Sequence, residues 1–146
     1  MSRLTIASVI LSASVAALSF AHAAPALAPN AKPFVGIWYG VGEPDDPSVS
    51  YIDSYHADGT FNSEFRKCEK GEVVWRQTES GRWSVTKDGL RMVSDFIDNM
   101  KAVFDNSYEI EWSTADEFRA HLAVPDFLFI EKRIPKFEFP PCYVGA

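Results

Sequence analysis

The folded part of this 146-residue chain is predicted to be a single all-β domain, an antiparallel up-and-down meander of about eight or nine strands closed into a barrel. Three observations predict it. Gly59, Gly71, Gly81 and Gly89 recur every 8 to 12 residues, the spacing of short strands joined by tight turns. Between them, aromatic residues alternate with polar ones, the period of a half-buried strand. Aromatic residues make up 14% of the chain, and the apolar positions do not fall at helical spacing, so strands are favoured over a bundle. A meander this long must hide its edges, and closure into a barrel does so more completely than a two-sheet sandwich.

Residues 1–23 are expected to be a signal peptide. Arg3 gives a positive start, Leu4 to Phe20 is an apolar run diluted by serines, and Ala21-His22-Ala23 fits the small-x-small cleavage pattern. The run is too short and too polar for a membrane span, which needs about 20 apolar residues. Residues 24–33, rich in Ala and Pro, read as a loose leader. A periplasmic or secreted location follows, with no integral membrane segment in the mature protein. Losing Arg3 moves the formal net charge from −6 to −7. An acidic domain without a basic stripe makes a nucleic-acid partner unexpected. Cys68 and Cys142 are the only two cysteines, and in an oxidising compartment two make one bridge, the alternative being two free thiols.

The loops set the strand registers. Ala57-Asp58-Gly59 places Tyr55 opposite Phe61, Asp53 opposite Ser63 and Tyr51 opposite Phe65. A second three-residue loop, Glu69-Lys70-Gly71, sets Phe65 against Trp75 and Ser63 against Gln77. A third, Glu79-Ser80-Gly81, sets Gln77 against Trp83 and Trp75 against Val85. Asp88-Gly89 then pairs Val85 with Met92 and Trp83 with Ser94. Residues 98–106 read as a loop, a helical turn or a ragged strand. Thr114-Ala115-Asp116 pairs Trp112 with Phe118, Ile110 with Ala120, Glu111 with Arg119 and Glu109 with His121. In the last strand, Leu128/Ile130 and Phe127/Phe129 compete for the inner face.

The segment Pro33-Phe34-Val35-Gly36-Ile37-Trp38-Tyr39-Gly40 carries the Gly-x-Trp that opens the first strand of lipocalins and fatty-acid-binding proteins. With the Asp-Gly meander and the terminal Glu131-Lys132-Arg133, the chain resembles the short bacterial lipocalin-like domains over Phe34 to Arg133. The resemblance implies a lipocalin-like barrel over residues 34–133, with Trp38 at the closed end beneath Arg133. It also implies a C-terminal tail, residues 134–146, tied to an early strand through Cys68 and Cys142. The chain departs from the pattern too. The Thr-Asp-Tyr motif is missing, with Asp105-Asn106-Ser107-Tyr108 near its place, and no room is left for a long helix before the last strand. Gly42 to Ser48 is unsuited to a helical lid.

The candidate site is a polar row on an aromatic face: Asp53, Ser63 and Gln77 flanked by Tyr51, Tyr55, Phe65, Trp75 and Trp83, with Phe61 beside them. Apolar walls bearing a few placed polar groups are how small-molecule pockets are built. The same row also reads as a hydrogen-bonded network that fixes register. The expected function is therefore binding of a small apolar or amphipathic molecule inside the barrel. The alternative is an envelope interaction module with a filled barrel whose outer surface binds another macromolecule. No enzyme is expected. There is no Gly-x-Ser-x-Gly elbow, the bridge occupies both cysteines, and Asp53 is the one carboxylate placed for acid–base work. No cofactor or metal is expected either: His56 and His121 stand far apart, and Glu43-Pro44-Asp45-Asp46 lacks the spacing of a calcium loop.

Overall fold

A computed structural model describes residues 29–143 of the chain. The expected signal peptide and the leader up to residue 28 lie outside the described residues. Eight strands follow one another: β1 (Gly36–Val41), β2 (Val49–Tyr55), β3 (Thr60–Glu69), β4 (Glu72–Thr86), β5 (Gly89–Ile97), β6 (Met100–Ser113), β7 (Glu117–Leu122) and β8 (Phe127–Ile134). Each pairs antiparallel with the next, and β8 returns to β1 through Trp38 opposite Arg133, closing the barrel. The result is an up-and-down barrel without a free edge, an architecture consistent with a calycin-like fold. No helix among the described residues is long and apolar enough to cross a membrane.

The β2–β3 register is as the first loop sets it, with Asp53 opposite Ser63 and Tyr51 opposite Phe65. The next registers differ by an even number of residues. The β3–β4 turn holds two residues, not three, with Lys70 and Gly71 both at positive φ (51° and 85°). A bulge at Lys67/Cys68 adds a second shift, so Phe65 faces Gln77 and Ser63 faces Glu79. Two one-residue changes preserve parity, which keeps Trp75 and Gln77 on the inner side.

Glu79-Ser80-Gly81 is no turn. β4 runs straight through it, and a bulge between Ser80 and Gly81 re-registers the strand against β5. Gly81 is there for a different reason: a Cβ would collide with the Val93 carbonyl of β5, so the strands approach too closely for any side chain. The β4–β5 turn is Lys87-Asp88, which pairs Trp83 with Met92 and Val85 with Leu90, two residues off the expected register. Residues 100–106 are strand, entered by a turn with Asp98 and Asn99 at φ 48° and 62°. On β6–β7, Ile110 meets Ala120 and Glu109 meets His121 as expected. A bulge between Ile110 and Trp112 sets Trp112 against Arg119, leaving Trp112 exposed with the guanidinium over its ring. Phe127 and Phe129 belong to the inner face of β8, and Glu131 goes with them.

One barrel end is packed shut. Trp38 is fully buried there, its indole N–H donating to the Phe34 carbonyl (2.7 Å) and its ring edge-on to Phe118 (4.7 Å). The Arg133 guanidinium lies 4.1 Å over the indole and donates to the carbonyls of Val35, Pro33 and Ala115. Gly36 allows this: its φ is +141°, and any Cβ would strike the guanidinium. The last part of the Ala/Pro-rich leader is not loose. Pro29–Phe34 forms a short 3-10 helix whose Ala31 and Phe34 are buried as a plug for this end.

After β8 the tail recrosses the outside of β1–β3. Arg66 donates to the Pro140 carbonyl and lies 4.2 Å from the Phe139 ring centroid, which also meets Tyr39. Cys142 and Cys68 form the disulfide, their Cα atoms 5.7 Å apart. The denatured, unreduced protein is therefore expected to show no titratable thiol. Reduction should remove about 2–4 kcal/mol of stability, as expected for so long a loop. Two titratable thiols, or an unchanged urea midpoint after reduction, would contradict this.

Candidate functional site

The other end of the barrel holds a cavity of about 600 Å³. Its walls come from every strand except β1, with the β1–β2 loop at the mouth. Alternation decides which side chains enter: odd-numbered residues of β2, β3 and lower β4 point inward, as do Leu90, Met92 and Ser94 of β5. Of the residues singled out in sequence, Tyr51, Asp53, Phe65, Trp75 and Gln77 line the cavity.

Tyr55, Ser63 and Trp83 do not line it. They are buried beneath, where Tyr55 and Trp83 stack at 5.1 Å and the Trp83 indole donates to the His56 carbonyl (3.0 Å). Tyr55 and Trp83 belong to the hydrophobic core below the pocket, and Ser63 is buried beside Asp53. Gln77 is not in one row with Asp53 and Ser63, because the bulge at Lys67/Cys68 carries it up opposite Phe65; Glu79 takes its place beside Ser63. Trp75, expected inside among aromatics, sits at the rim and is 42% exposed. The two histidines among the described residues lie at the surface, His56 bonded to Asn62 (2.7 Å) and His121 to Asp126 (2.6 Å).

The most distinctive property of the cavity is its acidity. Asp53 rises from the floor, buried, with Ser63 donating to one carboxylate oxygen and the Tyr55 hydroxyl 3.4 Å from the other. Loss of water pushes its pKa up to about 6, although both hydrogen bonds pull the other way. Glu79 accepts from Ser94. Burial, then the negative field of Asp53, raise its pKa to about 7. Glu43, from the β1–β2 loop, is raised to about 7 by burial and by Asp53, Asp45 and Glu79. Glu131 on β8 is the most deeply buried, and desolvation followed by Asp53 and Glu43 raises its pKa well above the ordinary range. The Tyr51 and Tyr108 hydroxyls are also pushed up, chiefly by burial.

Sequence reasoning missed Glu43, Glu79 and Glu131. Glu79 was hidden by the turn assigned to it, and Glu43 by its place in a loop. Glu131 had a usable signal: choosing Phe127/Phe129 as the inner pair carries Glu131 inward by alternation. Among the described residues, no three His, Cys, Asp or Glu side chains converge closely enough to hold a metal ion.

Comparison with protein-family models, curated proteins and solved structures finds no match to this chain. The likeness to lipocalins therefore rests on the Gly-x-Trp strand and the barrel architecture.

Proposed function

We propose that this domain is an exported, lipocalin-like carrier or sensor that binds a small amphipathic molecule inside the barrel, rather than an enzyme. The observation that carries the reading is the cavity itself. Eight-stranded barrels are often filled by their own side chains. This one keeps about 600 Å³ open, within the size range of small-molecule sites. Its walls combine aromatic faces with a few polar groups, the composition that gives such sites both affinity and orientation. An interaction module working only through its outer surface has no use for that space. The Cys68–Cys142 bridge supports a periplasmic or secreted setting, where disulfides persist.

Titration with the neutral fluorophore 1-aminoanthracene tests this reading. Saturable one-to-one uptake is expected, and Ala120→Phe, which fills the cavity wall, should weaken it at least tenfold while the barrel's circular dichroism is kept. Absence of saturable uptake, or equal uptake by Ala120→Phe, would overturn the proposal. Native mass spectrometry of protein purified from its producing cell should also show a releasable adduct.

A further inference from the structure

We propose that the ligand of this cavity is an organic cation, a protonated amine carried on an aromatic or short aliphatic body. The inference rests on the binding reading above and gives it a substrate class.

Four carboxyl groups, Glu43, Asp53, Glu79 and Glu131, line the cavity behind Asp45 and Asp46 at its mouth, and among the described residues no cation inside answers them. Among the described residues, Lys67 is the only basic one on the wall. Its ammonium is turned to the mouth, 3.0 Å from Asp46 and 3.7 Å from Glu69. Arg66 is bound to the tail outside the barrel, and Arg133 is bound at the closed end. A buried carboxylate without a counter-charge is costly, so such groups are usually paired.

Glu131 provides the independent sign of a missing partner. It is only 4% exposed, and one of its carboxylate oxygens has no hydrogen-bond partner. The buried Tyr51 hydroxyl, on the same cavity, is also unpartnered. Two unsatisfied buried polar atoms on residues of one cavity wall call for an explanation, and a bound partner supplies one. An ammonium group brings up to three N–H donors and the charge the site lacks.

The cation is organic rather than a metal ion for two reasons. The carboxylates are spread around the cavity rather than gathered, and no metal-binding cluster forms among the described residues. The space is also far larger than an ammonium group needs. The remainder is lined by Tyr51, Phe65, Trp75, Tyr108 and Phe129, which suit an apolar body and offer π faces to the charge. The raised pKa values of the four acids agree with this arrangement: burial raises each of them, and for Glu43, Glu79 and Glu131 the negative charge of neighbouring acids adds to it.

Three isosteres of one body test the charge alone: tryptamine (cation), tryptophol (neutral) and indole-3-propionate (anion), each competed against 1-aminoanthracene at pH 7.5. Tryptamine is expected to displace the probe at least tenfold more tightly than tryptophol, with indole-3-propionate weakest. Glu131→Gln and Asp53→Asn, both near-isosteric, should each reduce the ratio of tryptamine affinity to tryptophol affinity about tenfold. Tryptophol or indole-3-propionate matching tryptamine would overturn the cation while leaving the cavity reading intact. So would a probe that none of the three displaces, or a preference unchanged in both variants. Failure of 1-aminoanthracene itself to bind would overturn both.

Discussion

Trp38→Ala is expected to lower the unfolding free energy by roughly 3–5 kcal/mol, the cost of a fully buried tryptophan cut back to a methyl. The residue touches no part of the cavity; its work is at the closed end. There its indole joins β1 to the plug through the Phe34 carbonyl, and it packs edge-on against Phe118. It is also the surface on which Arg133 lies. That guanidinium in turn bonds carbonyls of the plug, of the chain entering β1 and of the β6–β7 turn. Removing the indole therefore opens a cavity and leaves a cation without the ring that covers it. Trp38→Phe should fall between the two, keeping an apolar ring but losing the N–H donor. Urea unfolding measures the change, and affinity for 1-aminoanthracene serves as the control. A variant that unfolds at the wild-type midpoint but no longer binds the probe would show that Trp38 belongs to the site.

The closed end was legible because its residues are locally encoded. Gly36 and Trp38 stand two apart in one strand, and the geometry that places Arg133 opposite Trp38 needs only closure of the meander. The β2–β3 hairpin was legible for a similar reason: Ala57-Asp58-Gly59 is a short loop whose length fixes the pairing, and no bulge intervenes. Further along, the Lys70-Gly71 turn and the bulge at Lys67/Cys68 together shifted β3–β4, the Lys87-Asp88 turn shifted β4–β5, and a bulge at Ile110/Trp112 shifted β6–β7. Facing survived better than pairing. Trp75 and Gln77 still point inward because β3–β4 was displaced by two residues, and alternation has a period of two.

The acid cluster was not legible for a different reason. Its members come from the β1–β2 loop, β2, β4 and β8, and only the closed barrel brings them together. Gly81 was the misleading signal. A glycine after Glu-Ser reads as a turn, whereas here it relieves contact between two backbones, and that reading took Glu79 off the inner face. A charged residue in an alternating aromatic strand also looks like an outward residue until the face is known. Glu131 is such a case, following Phe129 on a strand whose two faces are both rich in apolar side chains.

The same cluster makes the ligand-free barrel lose stability as pH rises from about 4 to about 7. A carboxyl whose folded pKa lies above its unfolded value binds its proton more tightly in the native state. The stabilisation is complete below the unfolded values near 4, declines as the unfolded chain ionises first, and is gone above the folded values. Asp53, raised from 3.8 to about 6, accounts for roughly 3 kcal/mol of this loss. Glu43 and Glu79, both raised to about 7 but partly open to solvent, add about 1 kcal/mol each once screening is allowed for. Glu131 acts in the same direction.

The groups facing these acids are Tyr51 and Tyr108, which stay neutral in this range, and Asp45, Asp46 and Lys67 at the mouth. β5 and β7 present only uncharged side chains to the cavity. Asp46 has its pKa lowered to about 2 by Ser48 and Lys67, and Asp58 and Asp105 are lowered by Thr60 and Arg91. Their stabilisation is lost only as pH falls below about 4. His121, held charged by Asp126 at the surface, loses its contribution as pH rises, in the same sense as the cavity acids.

Urea midpoints measured from pH 3 to pH 8 should therefore peak near pH 4 and fall by an amount equivalent to about 5 kcal/mol by pH 8. Asp53→Asn should flatten that decline most, because Asp53 also raises Glu43, Glu79 and Glu131 through its charge. Saturating tryptamine should flatten it as well, since a bound cation stabilises the ionised acids. A midpoint that stays level or climbs between pH 4 and pH 8 would mean that the four carboxylates are already neutralised in the ligand-free barrel.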